Sequence, residues 1–175
     1  MKIQEVISAI NQMQADSIIG QYAIGGAVGA TFYLEPVATL DVDIFVTFSS
    51  EPGSLLLSPA PLFDYLKARG ATMEGEYIVV GGWPVQFLPS TGPLVEEALA
   101  QAVETDVDGT PTRVFTAEHL AAIALQTGRA KDKARLLLFV EAGALDAARF
   151  QAILARHWLV EAWQKFERQF LSDAP

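Results

Sequence analysis

The sequence predicts a mixed α/β fold, a central sheet flanked by helices with a helical cap at the C-terminal end. Three observations carry that prediction. Short alternating or β-branched segments separated by glycine turns fill the first two thirds of the chain, and from Thr116 onward the apolar spacing is helical throughout. The 175 residues, 51% hydrophobic and 19% charged, suit one unit with a substantial core.

The first helix is expected over about Ile3–Ala15, with Ile3, Val6, Ile7, Ile10 and Met13 on one face. Tyr22-Ala23-Ile24 reads as a short strand ending at Gly25-Gly26. A helix from Ala27 to about Leu34 follows, stopped before Pro36. Asp41–Phe48 alternates and reads as a strand. Glu51–Pro61 is rich in proline, glycine and serine and reads mostly as loop. A short helix, Leu62–Arg69, stops at Gly70.

Thr72–Glu74, Glu76–Val80 and Pro84–Leu88 follow as strands, the last two joined by a Gly81-Gly82 hairpin. Leu94–Ala102 reads as a helix. Val103–Val107 and Thr112–Phe115 form a second hairpin around Asp108-Gly109. Thr116 is the expected N-cap of a helix ended by Gly128; Lys131–Ala142 and Leu145–Leu171 supply the remaining helices. The boundaries are set at residues 1–115 for the α/β core and 116–175 for a helical subdomain packed on it, with no linker between them.

Composition excludes several function classes. There is no cysteine, so no disulfide framework, thiolate metal site or cysteine nucleophile. The apolar runs are too short to span a bilayer, and the N-terminus lacks the pattern of a secretory signal, so a cytoplasmic protein without a membrane partner is expected. The net charge of −9 disfavours broad nucleic-acid binding. His119 and His157, the two histidines, have no metal-ligand spacing. Neither a nucleophile elbow nor a P-loop signature is present.

What remains is a constellation. Gly25-Gly26 sits at a strand-to-helix junction, where glycine lets backbone approach a ligand and a helix N-terminus offers N–H groups to phosphate. An ordinary turn explains the same pair. Asp41 and Asp43, two apart on one strand, share a face while Val42 and Ile44 take the other. Paired carboxylates repel unless a cation or proton joins them, and Mg²⁺ suits oxygen ligands; a solvated strand start is the plainer alternative. Gln86 faces opposite to Val85 and Phe87. Arg129, Lys131, Lys133 and Arg135 concentrate positive charge within seven positions of an acidic chain. Leu159, Trp163, Phe166 and Phe170 at helical spacing read as core, with a protein-partner or homodimer surface as the alternative.

Gly25-Gly26, then Thr39-x-Asp41-x-Asp43, then a later strand residue, resembles the nucleotidyltransferase fold of the DNA polymerase beta-like superfamily. Within it, the chain resembles the minimal nucleotidyltransferases of the abortive-infection toxin type. The helix, Arg129-Ala130-Lys131-Asp132 turn and following helix extend the likeness over about Tyr22 to Phe139.

The resemblance implies Mg²⁺ or Mn²⁺ held by Asp41 and Asp43 as catalytic residues. It implies a nucleoside triphosphate contacted by Gly25, Gly26, Thr39, Gln86 and Lys131, and nucleotide transfer to an acceptor that is a protein, RNA or small molecule. It also implies toxin-antitoxin-like pairing. Three departures stand against it. Ala27 replaces the serine that commonly follows the glycine pair, and the gap from Gly26 to Asp41 is slightly long. Neutral Gln86 stands where the family's third carboxylate is expected. Glu74 or Glu76 is the candidate substitute. The alternatives are a catalytically degenerate nucleotide-binding or protein-interaction module, and an unrelated α+β domain.

Overall fold

A computed structural model describes residues 2–36, 38, 41–48 and 59–172. Helix α1 (Ile3–Ala15) matches its expected bounds and buries Val6, Ile7, Ile10 and Met13. Strand β1 (Ile19–Ile24) begins three residues before the expected Tyr22. The helix α2 (Gly26–Ala30) is shorter than expected. Beyond it the chain loosens into turns, with Tyr33 N–H bonded to the Ala30 carbonyl and the Tyr33 hydroxyl to the Phe115 carbonyl at 2.8 Å. Packing of Phe32 and Tyr33 against the core thus overrides continuation of the helix.

The remaining elements are β2 (Val42–Phe48), α3 (Ala60–Lys67), β3 (Thr72–Glu74), β4 (Tyr77–Val80), β5 (Trp83–Pro89), α4 (Pro93–Ala100), β6 (Val103–Val107) and β7 (Thr110–Val114). Helices α5 (Ala117–Thr127), α6 (Ala130–Glu141), α7 (Ala147–Arg156) and α8 (Val160–Phe166) follow, with a π-helical turn at Glu167–Leu171. Residues 51–58 of the expected proline-rich loop lie outside the described residues; Ala60 and Pro61, also assigned to that loop, open α3. Proline suits this first turn because its missing N–H has no helical partner there. Both predicted hairpin turns form, with positive φ at Gly81 and Gly82 and at Asp108 and Gly109.

The seven strands form one sheet in the order β3-β4-β5-β2-β1-β7-β6. Strands β2 and β5 run parallel, as do β1 and β7; the other pairs are antiparallel. Alternation along β2 divides two layers of core. Val42, Ile44 and Val46 are fully buried with residues of α1 and α3 on one face. Phe45, on the other, packs its ring at a tilt against that of Phe115, centroids 4.9 Å apart, and Phe115 belongs to the cluster built by α4 to α8. Leu159, Trp163 and Phe166 are buried there, as the core reading expects, while Phe170 is exposed.

Thr116 caps α5 by accepting the His119 backbone N–H, and Gly128 closes it at φ +69°. These two residues fix where α5 ends and so where the cationic start of α6 lies.

Candidate active site

The site is organised as a row across the sheet. Gly25 N–H donates to the Asp43 carbonyl at 2.9 Å, tying the end of β1 to the start of β2. On the other side of β2, Asp43 is the parallel register partner of Gln86. The β4–β5 register runs through Ile78 with Val85, so the next pair outward is Tyr77 with Gln86. Gly25, Asp43, Gln86 and Tyr77 therefore occupy successive strands at one level. Asp41 stands two residues before Asp43, at the entrance to β2.

Gly26 meets this row from above. Its φ is +56°, a region that side-chain-bearing residues avoid, and a Cβ built there would run into the Asp43 carboxylate. A Cβ on Gly25 would likewise strike the Phe45 ring. The glycine pair thus lets backbone lie directly against a carboxylate.

Burial raises the Asp43 carboxyl above the ordinary aspartate range. The neighbouring Asp41 raises it further, while Arg135, Lys131 and Arg129 oppose both. All three cations come from the α5–α6 junction and the first turns of α6. Asp132, only 2% exposed, holds the two arginines. It accepts from Arg129 Nε at 2.6 Å and from Arg129 Nη2 at 3.3 Å, and pairs with Arg135 Nη1 at 3.7 Å. Lys131 enters no ion pair among the described residues. Tyr77 feels the same carboxylates: Asp41 first, then burial, Glu76 and Asp43 push its phenol above the ordinary tyrosine value.

The structure thus brings together Gly25, Gly26, Asp41, Asp43 and Gln86, with Lys131 within electrostatic range. Thr39 lies outside the described residues. Glu74 and Glu76 do not complete the pair: among the described residues no third acidic, histidine or cysteine side chain joins them in a group able to hold a metal. The donor set nonetheless fits a hard cation that takes one or two protein carboxylates and completes its shell from water and substrate phosphates. The cradle that only glycine leaves at position 26 supports the same fit.

Sequence reasoning missed one cluster. Glu97 on α4 receives Arg156 Nε at 2.8 Å, His157 Nε2 at 2.8 Å and His119 Nε2 at 3.2 Å. Its partners lie 22, 59 and 60 positions away, and only the fold unites them.

No family model matches the sequence, and no curated protein matches it. Solved structures do. The crystal structure of ANT(2″)-Ia in complex with adenylyl-2″-tobramycin aligns with TM-score 0.55 and 15% identity, covering 90% of this chain and 98% of that one. An antigenic nucleotidyltransferase-like protein from Paracoccidioides brasiliensis aligns with TM-score 0.60 and 14% identity, covering 94% and 90%. A solution structure of the antibiotic-resistance factor ANT(2″)-Ia aligns with TM-score 0.54, 14% identity and coverage of 95% and 96%. The chain has the nucleotidyltransferase fold. At these identities the likeness establishes the fold and leaves the chemistry to the site.

Proposed function

We propose that this chain is a metal-dependent nucleotidyltransferase that moves a nucleoside monophosphate from a triphosphate to an acceptor. The observation that carries the reading is the convergence of the Gly25-Gly26 turn, the Asp41/Asp43 pair and the cations of α6 around one carboxylate. Asp41 and Asp43 are the groups that would hold Mg²⁺ or Mn²⁺. When bound, such an ion supplies charge neutralisation and Lewis-acid polarisation of the phosphates.

The residues of the chain itself do the rest. Gly26 keeps the backbone close to the carboxylate row, leaving room for a phosphate chain. Lys131 and Arg135 lower the cost of bringing a triphosphate towards two aspartates. The buried Asp132 holds the two arginines in place and leaves Lys131 available as a phosphate contact. Transfer is an in-line displacement at the α-phosphorus with pyrophosphate as the leaving group.

The complex of ANT(2″)-Ia with adenylyl-2″-tobramycin, a structure of the same fold, supports a nucleoside triphosphate as donor. The same proposal takes residues 1–115 as the nucleotidyltransferase core and 116–175 as a helical subdomain packed on it, in a cytoplasmic protein.

A second reading, a nucleotide-binding module without catalysis, is favoured by one observation: Gln86, not a carboxylate, stands in register beside Asp43. Calorimetry with ATP, GTP, CTP and UTP, with and without Mg²⁺, tests what both readings share. At least one triphosphate binds, and binding depends on Mg²⁺. Absence of binding for all four would remove both readings.

A further inference from the structure

A cavity of about 450 Å³ lies between α1, β1, β6 and β7. Strands β1 and β7 pair in register at Ile24 with Val114. Two residues back they are joined through side chains instead, the Tyr22 hydroxyl meeting Thr112 Oγ1 at 3.1 Å. Helix α1 roofs this place, and Asn11 Nδ2 donates to the Pro111 carbonyl at 2.7 Å. Tyr22 pairs across the ladder with Val46, on the α1 face of the sheet, whereas Asp43 shares the opposite face with Phe45. The sheet itself therefore separates the cavity from the carboxylate row.

The floor of the cavity has hydrogen-bonding capacity left over. A proline carbonyl only accepts, so Asn11 turns its amide nitrogen to Pro111 and its Oδ1 to Tyr22, whose hydroxyl donates to it at 2.7 Å. A phenol has one proton, so in the contact between Tyr22 and Thr112 the threonine donates. Thr112 Oγ1, on a residue only 4% exposed, keeps its lone pairs, and Asn11 keeps one N–H. At the rim, the Gln14 amide and the Glu104 carboxylate enter no side-chain hydrogen bond among the described residues. Donors and acceptors are thus mixed around the cavity, and Pro111 lays a flat apolar ring beside them.

Charge narrows the ligand. Glu104 and Arg113 are cross-strand partners, so the lining carries no net charge. The Arg113 guanidinium donates to the Leu99 and Ala102 carbonyls, at 3.4 and 3.1 Å, and is turned towards α4. An anion would meet the Glu104 carboxylate beside a guanidinium already committed, and a cation would meet one carboxylate with an arginine opposite it. An apolar ligand would strand the buried Thr112 oxygen. Hydroxyl groups, each able to donate and to accept, match such a lining. We propose that the cavity binds a neutral polyhydroxylated small molecule of pentose or hexose size. Its hydroxyls bond Glu104, Gln14, Asn11 and Thr112, and its C–H face rests on Pro111. The volume falls within the range of small-molecule pockets, about 300–1,000 Å³.

Calorimetry and heteronuclear NMR titration of the whole chain test this with ribose, glucose and myo-inositol. Glucose 6-phosphate, glucosamine and cyclohexanol serve as the anionic, cationic and apolar counterparts. At least one neutral polyol binds saturably with a Kd of about 10 mM or tighter, the range open to a molecule of about a dozen heavy atoms. The amides that shift lie in α1, β6 and β7, and those of Gly25, Gly26 and Asp43 stay in place. The charged and apolar counterparts bind about tenfold more weakly or less. Glu104→Gln and Gln14→Ala, both at exposed positions that leave the denaturation midpoint unchanged, weaken polyol binding about tenfold and about threefold. Absence of saturable binding for every neutral polyol up to about 100 mM overturns the proposal. So do shifts centred on the carboxylate row, tighter binding of a charged or apolar counterpart, or unchanged affinity in both variants.

Discussion

Glu97→Gln keeps the size of the side chain and removes its charge, and the structure allows the consequence to be worked out. Burial by itself would raise the Glu97 carboxyl. Hydrogen bonds from Arg156, His157 and His119 outweigh that and lower it from 4.5 to about 2. A lowering of that size corresponds to about 3 kcal/mol of folding free energy at neutral pH. The side chain is 18% exposed, so water screening brings the expected loss to about 2 kcal/mol.

The sign follows from the depressed folded value. The unfolded chain takes up the proton near pH 4.5, and the folded chain near pH 2. The stabilisation is therefore complete above about pH 5 and is lost as the pH falls towards about 2. His119 is 1% exposed, and burial lowers its pKa against the pull of Glu97. Its neutral form is the one that suits the fold, so its contribution is also lost on acidification. Comparing the variant with wild type at each pH reads Glu97 together with its coupling to His119. Urea denaturation at about pH 7, 5 and 3 reads the difference. A loss of about 2 kcal/mol at pH 7 that shrinks by pH 3 supports the linkage. A loss below about 0.5 kcal/mol, or one unchanged down to pH 3, refutes it.

Three further outcomes are expected. Gly26→Ala forces a side chain into φ +56° and against Asp43, costing about 1–2 kcal/mol in denaturant titration from the backbone alone and weakening Mg²⁺-dependent triphosphate binding in calorimetry. Tyr22→Phe removes the hydroxyl that bonds Asn11 at 2.7 Å and Thr112 at 3.1 Å, and lowers stability by about 1–2 kcal/mol in the same titration. Asp132→Asn releases Arg129 and Arg135; it weakens triphosphate binding severalfold and steepens its dependence on salt, because unanchored arginines are more fully solvated.

Local chemistry made much of this fold legible in the sequence. The apolar face of α1, the Gly81-Gly82 and Asp108-Gly109 turns, the Thr116 cap and the Gly128 stop all act within a few residues, and each was read where it occurs. Long-range constraints were not legible. The strand is expected only from Tyr22, because Gly20 and Gln21 break the apolar pattern before it. In the sheet, Gly20 lies so close to Thr47 that a Cβ would collide with it. The tail of α2 is given up for Phe32 and Tyr33 packing, which depends on Phe115 far along the chain.

The candidate site was legible in part. Asp41, Asp43 and Gly26 were placed by strand alternation and by the demand of a tight turn. That Gln86 stands directly beside Asp43 follows from a parallel pairing across some forty residues, a register that no local signal sets. The Glu97 cluster is the extreme case: two histidines without metal spacing gain a shared carboxylate only when α4, α5 and the end of α7 meet.

The central claim is that Asp41 and Asp43 support transfer of a nucleotide with release of pyrophosphate. Pyrophosphate release from each triphosphate, with Mg²⁺ and a small-molecule cell extract as the source of acceptors, tests it most directly when wild type and Asp43→Asn are run side by side. The account predicts pyrophosphate from wild type with one preferred triphosphate, and at least a hundredfold less from the variant. Equal release from both proteins, or none from either, would contradict it.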